Sequence, residues 1–263
     1  MSGLKLKEEK VLGKLALQLY SIKDAAEQDL LGVIGKVASM GYEGAQFAGF
    51  FDHTAKDVKA KMDEVGIEAA GAHVQIEELQ EDLGGLLNYH EGIGNRLLIC
   101  PYLPENMRTT EDDYKRTAEL FNNIGEKVAK AGFSFGYHNH AFEFELFNGK
   151  PGFDLLYENT NPQYVKMELD CFWAAHAGNS PVEIIEKYAD RCVSLHIKDL
   201  KLVNGKPVST EVGTGTLDIA QLIEAGREHK VDWFVIEQED FTGDPVESAA
   251  QNAKELKRIS KYA

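Results

Sequence analysis

Four short apolar runs in the second half of the chain each end in residues that bind metals or move protons. They are FSFGYHNHAFEF from Phe133, VKMELD from Val165, VSLHIKD from Val193 and WFVIEQED from Trp233. A strand with His, Asp or Glu at its carboxyl end is how a parallel barrel delivers side chains from separate strands to one shared site. The pattern therefore constrains fold and chemistry together.

Four further runs precede these: KLALQLYSI from Lys14, YEGAQF from Tyr42, IEAAGAHV from Ile67 and NRLLICPY from Asn95. Helical periods separate the runs at residues 29–40, 54–65, 110–131, 181–189, 217–229 and 246–259. Gly41, Gly66 and Gly132 stand between a helix and the next strand, where glycine takes the left-handed cap position. Eight strand–helix alternations predict a closed (β/α)8 TIM barrel rather than an open doubly wound sheet. The turn after the first strand, Gln18 to Asp24, contains neither GxGxxG nor GxxxxGK(S/T), so nucleotide binding loses its main support. The 263 residues, 1–263, read as one barrel domain.

Charge narrows the partners. With 43 acidic residues against 28 basic ones the chain carries a formal charge of −15, which repels phosphate backbones and anionic lipid surfaces. No nucleic acid and no membrane is expected. The Lys-rich start, Lys5, Lys7, Lys10 and Lys14, is interrupted by Glu8 and Glu9 and is not expected to be a signal peptide. No run approaches the ~20 apolar residues of a membrane span, so a cytoplasmic protein is expected. Cys100, Cys171 and Cys192 are widely separated and read as core residues, not as a zinc motif, a disulfide framework or a nucleophile.

The strand ends then supply the chemistry. Alternate residues share a face, so His138 and His140 point one way and Asn139 the other. Asp170, His196 and Glu237 each close an apolar strand, and a carboxylate left unpaired there is costly, which favours a metal or a buried ion pair. Mixed carboxylate and imidazole ligation suits one Mn²⁺, Co²⁺, Zn²⁺ or Fe²⁺ rather than an all-oxygen Mg²⁺ or Ca²⁺ cage. Lys198 follows His196 on the same face, where it is expected to polarise a carbonyl or pair with Asp199. His53, His90 and His229 fall in helix or loop contexts and are expected to be solvated.

The order His138-Asn139-His140, Glu168-Leu169-Asp170, Leu195-His196-Ile197-Lys198-Asp199 and Val235-Ile236-Glu237, with a Gly213-to-Asp218 segment before the penultimate helix, is distinctive. It resembles the sugar phosphate isomerase/epimerase superfamily of xylose-isomerase-like barrels over almost the whole chain. The resemblance implies one divalent metal held by a Glu, an Asp, a His and a second Glu from the last four strands. Asp170, His196 and Glu237 match the final three positions. The first departs: His138 stands where relatives carry Glu, so either His138 replaces it or the chain bends to bring in Glu143. The His-rich form is similar to the inosose dehydratase and keto-glycoside branches.

By that resemblance the substrate is a sugar, keto-sugar or cyclitol, deprotonated beside its carbonyl by Glu237 or His140, with His138 at the same site. Gln18, Gln46, His73, Trp173 and His176 would then line the sugar pocket. The outcome is isomerisation or epimerisation, or else an inosose-type dehydration; a non-catalytic sugar-binding barrel is the rival from another class. The superfamily's DNA-cleaving branch is set aside by the acidic charge and by too few ligands. Self-association is left open.

Overall fold

The computed structural model describes residues 13–261, so Lys5, Lys7 and Lys10 lie outside the described residues. Its eight barrel strands are β1 (Lys14–Gln18), β2 (Gly44–Phe47), β3 (Glu68–His73), β4 (Leu97–Cys100), β5 (Ser134–His138), β6 (Val165–Asp170), β7 (Cys192–Ile197) and β8 (Trp233–Ile236). Each pairs in parallel with its neighbour in the chain, and β8 returns to β1 from Lys14↔Trp233 to Leu17↔Ile236. The chain is a closed (β/α)8 barrel, as expected.

Parallel neighbours require a crossover, and a helix supplies each one. The outer helices are α1 (Leu30–Ser39), α2 (Ala55–Val65), α3 (Leu83–Ile93), α4 (Glu111–Lys130), α5 (Gly152–Glu158), α6 (Pro181–Lys187), α7 (Ile219–Glu228) and α8 (Pro245–Ser260). Asp29, Thr54, Asp82, Thr110, Ser180, Asp218 and Asp244 cap their first turns by accepting a backbone N–H. Gly41, Gly66 and Gly132 take φ of +88°, +74° and +81° where the chain leaves a helix for a strand. Among the described residues no helix is long and apolar enough to cross a membrane.

Three features differ from expectation. The first strand stops at Gln18, because that side chain accepts the Tyr20 N–H and turns the chain into a 3-10 helix, Leu19–Ile22. Short helices at Lys23–Gln28, Ile76–Glu81 and Cys171–His176 precede α1, α3 and α6. Two antiparallel ribbons, Leu146–Phe147 with Lys150–Pro151 and Asp199–Val203 with Lys206–Thr210, rise beyond β5 and β7. Each turns at an Asn-Gly pair with positive φ at both residues, Asn148 and Gly149 at 53° and 85°, Asn204 and Gly205 at 53° and 77°. That is the type I′ geometry that matches strand twist.

Strand alternation divides the interior. Outward residues such as Leu17, Phe47, Phe135, Leu169 and Leu195 join the apolar layer beneath the helices. Inward ones begin with a small plug of Ala16, Ala70 and Val235 above Trp233, whose ring fills the space beside Gly44: a Cβ there would meet it at 2.7 Å. Above the plug the inward residues turn polar.

Candidate active site

At the carboxyl ends of the strands His138, Asp170, His196 and Glu237 converge, all buried, with one donor atom from each lying within 4.8 Å of the others. His138 Nε2 is 3.2 Å from Asp170 Oδ2, and His196 Nδ1 is 3.0 Å from Glu237 Oε2. The far side of each ring fixes its orientation. His138 Nδ1 donates to the Pro101 carbonyl at 3.3 Å, which leaves Nε2 as the atom that faces the cluster. His196 Nε2 lies 3.0 Å from Glu168 Oε1 and 2.7 Å from Gln46 Oε1, both acceptors, so Nδ1 is its inward atom. Asn139 points away from the cluster and ties β5 to β6, its Oδ1 accepting the Asp170 N–H at 2.9 Å.

Lys198 enters this cluster from beyond β7. Its buried ammonium is 2.9 Å from Asp170 Oδ2 and 2.6 Å from Glu237 Oε2 and also meets Glu239. Burial disfavours that charge, but Asp170, Glu237 and Glu239 hold the ammonium protonated well above the usual lysine range. Burial also opposes ionisation of Asp170, yet Lys198 and His138 bring it down to about 2. For His196 burial works against the cation, and the Glu168 and Glu237 carboxylates outweigh it, raising the ring to about 10. The expected Lys198–Asp199 pair does not form. Asp199 instead gathers backbone N–H groups of Gly213 at 2.9 Å, Gly215 at 2.8 Å and Leu217 at 3.1 Å, which is the task of the Gly213-to-Asp218 segment. A Cβ at Gly215 would meet Asp199 Oδ1 at 2.3 Å, so only glycine closes that loop.

Beneath the cluster lies a second polar layer that sequence reasoning missed. Glu168 is buried, 2.7 Å from His73 Nε2 and 3.0 Å from His196 Nε2, and it accepts from Gln46 Nε2 at 2.5 Å and from Ser194 Oγ. Burial opposes its charge, but His196 and His73 keep it ionised far below the usual carboxylate range. The period-two rule that pairs His138 with His140 would have found it, since Glu168 shares the inward face with Asp170. Glu239, two residues past Glu237, was missed in the same way.

A cavity of about 360 Å³ opens over the cluster, lined by His73, Tyr102, His138, His140, Glu237 and Glu239 among others. A neighbouring one of about 510 Å³ shares Tyr20 and Glu239 with it. Of the expected pocket residues, His73 lines the cavity, while Gln18 and Gln46 are fully buried and bonded to each other at 2.6 Å outside its lining. Trp173 packs 5.7 Å from the His140 ring; His176 is exposed, 5.1 Å from Trp173 and away from the cluster. His140 stands 5.0 Å from His138, is lowered to about 3 by burial and by the neighbouring His138, and its Nδ1 is buried without a hydrogen-bond partner.

Glu143 is not in the cluster. Beyond His138 the chain turns through a 3-10 helix, Phe142–Phe144, which folds the carboxylate back to the outward-facing Tyr137 hydroxyl and to the His140 N–H at 2.8 Å. Burial raises Glu143 to about 7. The geometry therefore groups His138, not Glu143, with Asp170, His196 and Glu237. His90 also departs from expectation: it is buried against Phe50 and Tyr89, hydrogen-bonded to Asn95 and lowered to about 4 by burial. All three cysteines are buried and free, as expected of core residues.

The profile of the xylose isomerase-like TIM barrel family matches residues 34–259. The chain belongs to that family. Similar family relatives include the inosose dehydratase of Geobacillus kaustophilus, 23% identical over 64% of this chain and 61% of that one, so the match spans less than two thirds of that relative. The inosose dehydratase of Clostridium botulinum is 20% identical over 85% of this chain and 87% of its own. A sugar phosphate isomerase/epimerase from Parabacteroides distasonis superposes with a TM-score of 0.79 at 25% identity, covering 97% of each chain. The 3-keto-D-glucoside 4-epimerase of E. coli shares the fold at a TM-score of 0.69 and 17% identity, covering 93% of this chain and 99% of that one.

Xylose isomerase-like barrels often use a metal, and the donor set here fits one. Two imidazoles and two carboxylates turn one atom each towards a common point, where an ion would take the place of the proton on His196 Nδ1, and the remote nitrogen of His196 is backed by Glu168, the carboxylate–histidine arrangement that orients metal ligands.

Proposed function

We propose that this chain is a divalent-metal-dependent sugar isomerase or epimerase that removes the proton beside the carbonyl of a keto-sugar or cyclitol. The observation that carries the reading is the convergence of His138, Asp170, His196 and Glu237 under a cavity wide enough for a small polyhydroxylated ring. His138, Asp170, His196 and Glu237 would hold a divalent ion, which would supply Lewis-acid polarisation of the carbonyl.

The chain's own groups handle the proton. Burial opposes charge on Glu237, but Lys198 and His196 keep it a carboxylate, available to accept the proton from the carbon beside the carbonyl. His140 and His73 face the same cavity, the first uncharged through burial, the second held at Nε2 by Glu168. As a neutral imidazole, either one relays a proton from another direction, giving up one N–H as its other nitrogen takes a proton from water. Return to the same carbon inverts it, return to the former carbonyl carbon isomerises the sugar, and protonation of a departing β-hydroxyl gives dehydration. The names of the curated relatives favour dehydration as the second reading.

Incubation of the Mn²⁺-loaded protein with inosose or a keto-sugar in D₂O tests this. Deuterium should appear beside the carbonyl, with a new sugar isomer or an elimination product alongside. Product with complete retention of the substrate hydrogen would replace proton transfer by a hydride shift. Binding without exchange or product would leave a sugar-binding barrel.

A further inference from the structure

We infer that Lys198 is the resident cation of the metal site, and that a divalent ion binds only as this ammonium withdraws from the ligand carboxylates towards Glu239. The inference rests on reading His138, Asp170, His196 and Glu237 as the metal ligands. Its basis is that Lys198 uses the same oxygen atoms. Asp170 Oδ2, 3.2 Å from His138 Nε2, is 2.9 Å from Lys198 Nζ; Glu237 Oε2, 3.0 Å from His196 Nδ1, is 2.6 Å from it. Metal–ligand bonds of about 2.0–2.3 Å to those oxygens would set two cations within a few ångströms of each other in a buried space. Only one of them can stay.

The structure also holds a place for the displaced group. Glu239 already meets Nζ, its side chain is 37% exposed where Asp170 is fully buried, and it lines the cavity wall. The Phe172 and Trp173 rings lie 5.9 and 5.7 Å from Nζ, so the cation keeps aromatic contact near its present position. A lysine stem is flexible enough for such a shift. With the ammonium in place the buried carboxylates are compensated and the ion-free protein stays folded. The same ammonium lowers the affinity that these four donors would otherwise show.

The test is Mn²⁺ binding by titration calorimetry, with melting curves, on the chelator-stripped full chain. Lys198→Met should bind Mn²⁺ more tightly by about tenfold or more. Its ion-free melting temperature should fall, and Mn²⁺ should restore it. Lys198→Gln, which keeps a polar stem without the charge, is measured alongside in case the methionine variant does not fold. Lys23→Met removes a charge from the rim of the neighbouring cavity and should leave the affinity unchanged. Equal affinity in wild type and both Lys198 variants overturns the inference while the metal site stands. Equal tightening in the Lys23 variant overturns it in favour of a general charge effect. No Mn²⁺ binding by any of the proteins overturns the metal reading itself, and the inference with it.

Discussion

The two polar layers inside the barrel both gather around buried carboxylates, yet they differ in what they leave unpaired. In the lower one Gln18, Gln46, Ser194 and Glu168 bond one another with no gap: Gln18 donates to Gln46 at 2.6 Å, and Gln46 and Ser194 donate to Glu168. In the upper one two carboxylates lean on one ammonium, and His140 Nδ1 and Trp173 Nε1 are buried without a hydrogen-bond partner. A fully satisfied buried network fixes rotamers. An incompletely satisfied one is where a ligand completes the bonding. His196 belongs to both layers, so the scaffold below orients the chemistry above.

The most forceful way to break this division is Glu237→Gln in the upper layer. We expect turnover to fall by at least about a thousandfold, since both a ligand and a base are lost. Near-wild-type activity would take Glu237 out of the mechanism. Next comes Glu168→Gln below it, which keeps shape and removes charge: Mn²⁺ affinity should drop roughly 10- to 100-fold although no ligand has changed. An unchanged affinity would show that the layers are independent.

His138→Ala against Glu143→Gln sharpens the border of the upper layer. The first should weaken Mn²⁺ binding by on the order of tenfold or more, and the second should keep the metal, measured by metal content at one pH. A baseline away from both layers comes from His90, lowered to about 4 in the fold against an ordinary value of 6.5. A lowered histidine contributes stability that is present above 6.5 and lost as pH falls towards 4, here by up to about 3 kcal/mol. His90→Asn should flatten the acid limb of the unfolding curve over that window; an unaltered limb would assign the acid sensitivity elsewhere. The smallest effect belongs to His176→Ala: exposed and outside both layers, it should change rate by less than about twofold.

Much of this was legible in the chain. The strand runs gave all eight barrel strands, because a strand buried on both faces leaves a short apolar signature. The helical periods that begin at Thr54 and Thr110 matched α2 and α4, whose first turns those threonines cap. What escaped was depth along the barrel axis: Gln18, Gln46 and His73 all read as inward strand ends, and only the strands' stagger puts the two glutamines under the cavity and His73 beside it. The ribbons at Asn148-Gly149 and Asn204-Gly205 escaped because their turn signal was not paired with the short strands around it. His90 escaped because its burial depends on Phe50 reaching it from a distant loop.

The pairing of β8 with β1 joins the two ends of the described barrel, and it is the strand pairing with the longest intervening chain. Loop-closure entropy and high contact order make such a seam slow to form. Glu237 follows directly on β8, so until the seam is shut the other ligand strands stand without it. Completion of the site and completion of folding are thus one event, and during refolding Mn²⁺ affinity should appear with the last kinetic phase rather than grow in parts.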